Sequence, residues 1–146
     1  MPLQNASGRA SLGRDISLVI TGPNGRIDLP NVTSFSAKQE TVNIKSSRLD
    51  GVKLNAEIPD GWTGSIENDR GNADVDAAFA QMETDWFEGG RTATGTIYQY
   101  ITEPDGSQTA WQFDNVSMKL DNAGEWKNDA TVKQTITFTA NRRRRV

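Results

Sequence analysis

The chain has 146 residues, of which 35% are hydrophobic, with a mean hydropathy of -0.63 and a formal net charge of -3; this is the length of one ordinary domain with a lean core. Cysteine and histidine are absent, which excludes disulfides, thiolate metal sites, a cysteine nucleophile and a Ser-His-Asp triad, and removes the usual near-neutral base and zinc ligand. No segment approaches the roughly 20 apolar residues of a membrane helix, and without an apolar signal core at the N-terminus no export signal is expected.

Residues 1–14 are rich in Gly, Ser, Asn and Arg and read as an arm, ordered by a neighbour or not at all. The first strand is expected from Asp15 to Thr21. Gly22-Pro23-Asn24-Gly25 is a turn, and a short strand around Arg26 to Leu29 completes a hairpin. From Val32 to Lys45 the chain is extended. Its apolar positions shift from odd (Phe35, Ala37) to even (Val42, Ile44), which predicts a bulge because strand faces alternate with period two. Ser46 to Gly51 is a polar loop. Val52, Leu54, Ala56 and Ile58 then alternate with Lys53, Asn55 and Glu57, until Pro59-Asp60-Gly61 interrupts the strand ahead of Trp62 to Glu67.

One helix is expected at about 73–88. Asn72 or Asp74 caps its start, Val75, Phe79, Met82 and Trp86 form one stripe, and Gly89-Gly90 ends it. Three strands follow: Arg91 to Glu103, Thr109 to Leu120 with a second phase change at Asp114-Asn115, and Thr131 to Ala140. Turns at Pro104-Asp105-Gly106-Ser107 and Asp121-Asn122-Ala123-Gly124 separate them. The last strand sets Val132, Ile136, Phe138 and Ala140 against a threonine face, which suits a pleated surface that stays partly wet. The fold class is mainly β: two packed antiparallel sheets, a sandwich or barrel, with one inserted amphipathic helix. Residues 15–141 form one domain and 142–146 a basic C-terminal tail.

Charge is unevenly laid out. The arm carries Arg9 and Arg14 with no acid, the tail carries Arg142, Arg143, Arg144 and Arg145, and residues 15–141 hold ten basic against nineteen acidic residues. An acidic body with basic ends attracts its own copies and offers duplex DNA no broad basic face. The arginine tail reads best as a salt-bridging arm, and without interleaved aromatics base stacking is unsupported. Paired carboxylates at Glu57 with Asp60 and at Glu103 with Asp105 sit beside turns, where aspartate serves backbone hydrogen bonding, so no catalytic residue is expected. Asp74 and Asp76 lack the glycine and terminal glutamate of a calcium loop, and no metal or cofactor is expected. Trp62, Tyr98, Tyr100, Trp111 and Trp126 admit a rival reading, a β-sandwich that stacks on sugars. The basic ends favour a polymer instead.

The order of segments resembles the tail tube proteins of long-tailed phages. The likeness rests on Gly61-Trp62-Thr63-Gly64-Ser65-Ile66-Glu67 with Asp69-Arg70, the acidic helix ending Phe87-Glu88-Gly89-Gly90, and the threonine-rich strand through Tyr98. It continues through Pro104-Asp105-Gly106-Ser107, Val116 to Gly124 with Trp126, and the closing run Gln134 to Arg143. The resemblance implies six subunits per ring, with inner strands joined into one barrel around a channel, and rings stacked through a hairpin loop and the terminal arms. The related secretion-system tube protein shares this architecture. On this basis Ser46, Ser47, Arg48, Leu49, Asp50 and Gly51 form a ring-stacking loop, and Arg9, Arg14 and Arg142 to Arg145 are assembly arms. Asp76 and Glu83 face a sheath if the tail is contractile. Glu57, Glu67, Thr94, Thr96, Thr135 and Thr137 are candidates for the lumen. The implied partners are further copies of the chain, sheath, baseplate and tail-terminator proteins, and a tape-measure protein and DNA in the lumen without sequence-specific binding. The implied location is the virion tail, assembled from subunits made in the host cytoplasm.

Overall fold

The computed structural model describes residues 12, 16–27, 29, 32–92 and 94–146. Eight strands and one helix follow in order: β1 Ile16–Gly22, β2 Gly25–Ile27, β3 Val32–Ser47, β4 Lys53–Asp69, α1 Asp74–Gly89, β5 Gly95–Thr102, β6 Gln108–Asn122, β7 Lys133–Ala140 and β8 Arg142–Arg145. All pairings are antiparallel. β2-β1-β5-β6-β8 form one sheet and β3-β4-β7-β6 the other, with β6 common to both. The N-terminal arm, with Arg9 and Arg14, lies outside the described residues apart from Leu12.

β6 changes sheets at the phase shift seen in the sequence. Up to Val116 it pairs with β5, and from Ser117 it pairs with β7. Between Ile97↔Phe113 and Gly95↔Val116, Asp114 and Asn115 together oppose the single residue Thr96. This is a bulge, with Asn115 at φ 51 in the left-handed region that asparagine tolerates. The turn lays the two sheets face to face. Phe113 from the first sheet meets the Phe138 ring edge-on at 5.6 Å, and Phe35 stacks on Phe138 at 5.8 Å. Ile20, Ile66, Ile97, Val116 and Ile136 complete a buried core. Gly64 allows this closeness, because a Cβ there would collide with the Ser36 carbonyl and the Phe138 ring.

The helix packs Val75, Phe79 and Met82 against that core, while Trp86, the last of the stripe, is half exposed. The N-cap position falls on Ala73 and carries no side-chain cap, so neither Asn72 nor Asp74 occupies the expected capping position. Asn72, one residue earlier, accepts the Asp74 amide on Oδ1 at 3.0 Å, and Gly90 ends the helix in the left-handed conformation at φ 63. Asp76 reaches inward. Its carboxylate accepts from Gln134 Nε2 at 2.7 Å and from Arg70 Nε at 3.1 Å. Gln134 is fully buried on the core face of β7, so this contact ties the helix to both β7 and the end of β4.

Two expectations are corrected. Pro59-Asp60-Gly61 does not interrupt the strand. β4 runs unbroken through it, and the irregularity is a register shift opposite β3 between Gln39 and Thr41, absorbed by Gly61 at φ 111. The four arginines, expected as a salt-bridging tail, form a strand. Arg142 to Arg145 continue β7 along the same edge of β6, from Asp114↔Arg142 to Trp111↔Arg145, because β6 still offers unpaired backbone groups there.

Asp76→Ala is expected to lower stability by about 1–2 kcal/mol, since the buried Gln134 amide loses an acceptor. Thermal unfolding checks this, with Glu83→Ala, on the exposed helix surface, as the unchanged control.

Candidate assembly surfaces

β3 and β4 are far longer than the sandwich they join. From Ser34↔Glu67 to Gln39↔Trp62 they lie within it, because β7 pairs with β4 from Trp62 to Asp69. From Thr41↔Pro59 to Ser47↔Lys53 no other strand among the described residues accompanies them. This outer half is a two-stranded arm. One face carries Val42, Ile44, Leu54, Ala56 and Ile58, all exposed, the large ones at 46–50%. The other face is polar. Glu57 stands opposite Asn43 and accepts from Thr41 Oγ1 at 2.6 Å and from Asn43 Nδ2 at 2.5 Å. At the tip Gly51 N donates to the Arg48 carbonyl at 3.0 Å and Val52 N to Asp50 Oδ1 at 3.0 Å, which holds Leu49 fully out in solvent.

An isolated two-stranded ribbon is marginal in water, and each exposed apolar Å² forgoes about 25 cal/mol of burial free energy. An apolar face this continuous marks a contact surface. The sequence placed the contact at the tip, Ser46 to Gly51. The structure leaves Ser46 and Ser47 in the end of β3, Arg48 to Gly51 in the turn, and a larger apolar face behind them. Alternation along Val42–Ile44 and Leu54–Ile58 was visible, but alternation alone does not say whether a further strand covers it.

Of the six lumen candidates, three come together. Glu67, Thr135 and Thr137 share the outer face of the second sheet with Ser34, Ser36, Thr63, Ser65, Ser117 and Thr139. That face carries no aromatic side chain in these strands. Its lysines are Lys38, opposite Thr63, with Lys133 paired to Asp69 at 3.5 Å and Lys119 to Asp121 at 3.6 Å. Thr96 lies opposite Thr21 in the other sheet, Thr94 precedes β5, and Glu57 is on the arm. On the helix, Glu83 is exposed whereas Asp76 is engaged internally.

The arginines divide their work by alternation. Arg144 Nε donates to Asp114 Oδ2 at 2.6 Å, and this hydrogen bond is the main reason the Asp114 carboxyl is held below its usual range. Arg143 turns to the other side, its guanidinium 4.1 Å from the Trp62 ring centroid and 4.0 Å from that of Trp111. Sequence reasoning missed this site, since its three residues are remote in the chain. It also weakens the sugar-stacking rival: Trp62 and Trp111 each give a face to Arg143, and Arg70 lies 5.2 Å from the Trp126 centroid. Nor do the carboxylates resemble general acids. Glu57 is held down by the Thr41 hydroxyl and then Asn43, and Asp105 by the Ser107 hydroxyl and then its amide. Among the described residues no group of three potential ligands is placed to hold a metal.

No protein-family model and no curated protein matches the chain. Solved structures do. The chain matches one from the anti-feeding prophage cap (the tube-terminating cap) with a TM-score of 0.64 at 13% identity, covering 100% of this chain and 94% of that one. It matches one from the sheath-tube complex of the PVC extracellular contractile injection system in its extended state, with a TM-score of 0.62 at 12% identity over 97% and 94%. A third belongs to the tail of the empty gene transfer agent particle, refined helically with C6 symmetry, with a TM-score of 0.52 at 13% identity over 94% and 99%. The fold is therefore that of components of contractile injection systems and phage-like tails, in agreement with the tail-tube resemblance read in the sequence.

Because the folded pKa of Glu57 lies below its ordinary value of 4.5, the contribution of this carboxylate to arm order is present above that value. It is lost as pH falls through the lower folded value. An NMR titration of the Glu57 carboxyl is expected to give a depressed midpoint that Thr41→Val raises; equal midpoints in the two proteins would refute the assignment.

Proposed function

We propose that this chain is a structural subunit of a tail tube, polymerising as stacked hexameric rings around a channel, and that it performs no catalysis. The observation that carries the reading is the arm: a long amphipathic ribbon with an uncovered apolar face, on a sandwich whose core is otherwise closed. The near full-length fold likeness to chains of sheath-tube, tube-cap and tail assemblies supports it.

Edge chemistry supports a ring as well. The first sheet ends in β2, three residues long, and in the arginine strand β8. Short or charged edges resist pairing with another chain. The second sheet ends in β3, a strand of 16 residues, and in β6, which from Ser117 to Asn122 pairs with β7 alone among the described strands. Its two edges differ, so pairing between copies is head-to-tail, and such contacts close into rings when the rotation permits. Six copies agree with the C6 symmetry of the gene transfer agent tail.

In this arrangement the hydroxyl-rich face with Glu67, Thr135 and Thr137 lines the lumen. Its lysines, Lys38, Lys119 and Lys133, are interspersed with Glu67, Asp69 and Asp121 and leave no net positive face to hold phosphate, so DNA and a tape-measure protein pass without sequence-specific binding. The arm, with Arg48 to Gly51 at its tip, stacks one ring on the next, and Arg142 and Arg145, exposed on β8, add contacts to the acidic body of a neighbour. Glu83, exposed on the helix, faces the sheath. Baseplate and terminator proteins close the tube at its ends, and the assembled subunit belongs to the virion tail.

The purified chain is expected to form hollow rings or tubes by negative-stain electron microscopy as its concentration rises. Val42→Asp with Ile44→Asp should abolish them at concentrations where the wild type assembles. The melting temperature should hold within a few degrees, because both residues are exposed in the lone subunit. Tubes formed equally well by the double variant would overturn the role of the arm.

A further inference from the structure

The arm leaves the sandwich through a hinge. On β3 the register shifts between Gln39 and Thr41. On β4 the hinge is Gly61, at φ 111, with the Ala140 carbonyl oxygen 2.7 Å from where a Cβ would stand. A ribbon joined through a bulge and a left-handed glycine can swing unless something fixes its root. Trp62 is the first residue on the sandwich side of that hinge, paired with Gln39 and Ala140. Its indole packs perpendicular to Phe113, with ring centroids 6.1 Å apart at 81°.

The geometry points to Arg143 as the positioning residue that fixes the direction of the arm, by clamping Trp62 of the hinge against Trp111 of the opposite sheet. Trp111 sits on β6 between Gln99 of β5 and Arg145 of β8, so it belongs to the first sheet, whereas Trp62 belongs to the second. The guanidinium lies 4.1 Å from one ring centroid and 4.0 Å from the other, and closes the end of the sandwich from which the arm emerges.

A planar cation suits this place. Each face of a guanidinium can stack on an aromatic ring, and arginine sheds its hydration more readily than lysine does. The strand that carries it is anchored independently. Arg144 is bound to Asp114 on the opposite side, the Asn141 amide donates to the Asp114 carbonyl at 3.0 Å, and the Val146 amide donates to Ala110 at 3.0 Å. Arg143 is therefore free of the task of holding β8 in place. The importance of the clamp for assembly rests on the tail-tube reading: only arms held at the productive angle can join the next copy, so the effective affinity falls with the fraction so held.

A cysteine-free chain allows the arm's direction to be measured in the unassembled protein. Spin labels at Lys53→Cys, on the arm, and Lys119→Cys, on β6, report the distance between arm and body. The wild-type background should give one narrow distribution. Arg143→Lys, which keeps the charge but not the flat stack, should broaden it about twofold or more. Arg143→Leu, which fills the space without a cation, should also fail to restore it. If Leu does not fold, the Lys variant decides alone. Distributions equal to wild type with Arg143→Lys would overturn the proposal, as would full restoration by Leu. Electron microscopy of the same proteins keeps the two ideas apart. A wild type that forms no tubes counts against the tail-tube reading and leaves the clamp standing. A wild type that forms tubes, with unchanged distances in Arg143→Lys, sinks the clamp alone.

Discussion

β6 has to serve two sheets, and the remainder of the subunit follows from how it does so. A strand of 15 residues that stayed straight would extend one flat sheet with two exposed faces. The extra residue at Asp114-Asn115 turns it instead, and the faces carrying Phe113 and Phe138 meet. The neighbouring backbone must come close at the corner, which is why Gly95 stands there. A Cβ would run into the Thr21 carbonyl of β1. One bulge thus converts a sheet that could not bury its apolar residues into a sandwich that can.

Once the sandwich is closed, the leftover features are those that point outward. The arm keeps an apolar face that no described element covers, and the second sheet keeps two open edges. A chain of low hydrophobic content can be viable with such surfaces if neighbours complete its burial, because contacts made only in the assembled state add to the stability of the folded form by mass action. The first sheet shows the opposite treatment. Its edges are a strand of three residues and a strand of four arginines, neither of which invites a partner strand. Of the two sheets, only the second keeps edges open to a further strand among the described residues.

The arginine run shows where charge alone misleads. By composition it is a solvated or docking tail. In the structure its register continues that of β7 past Asn141, so backbone hydrogen bonding had already fixed its course. Alternation then sends Arg144 to Asp114 on one side and Arg143 to the two indoles on the other. Like charges that would repel in a coil are separated by the pleat.

Period and punctuation in the chain were enough to find the elements except β8, read as a tail, and the continuity of β4 through Pro59-Asp60-Gly61. Those strands, the helix with its Gly90 end, and both phase shifts depend on residues close in sequence, and the physics that sets them is local. The same holds for the hydroxyl character of Thr135 and Thr137 and for the absence of cysteine and histidine chemistry. Tertiary structure alone decided which faces are covered. It placed Gln134 in the interior with Asp76 as its acceptor, left Val42, Ile44 and Ile58 bare, and gathered Trp62, Trp111 and Arg143 at one end of the core. Alternation in a strand states that its two faces differ; which of them meets another element depends on strand order and on the bend in β6, and those depend on residues tens of positions apart.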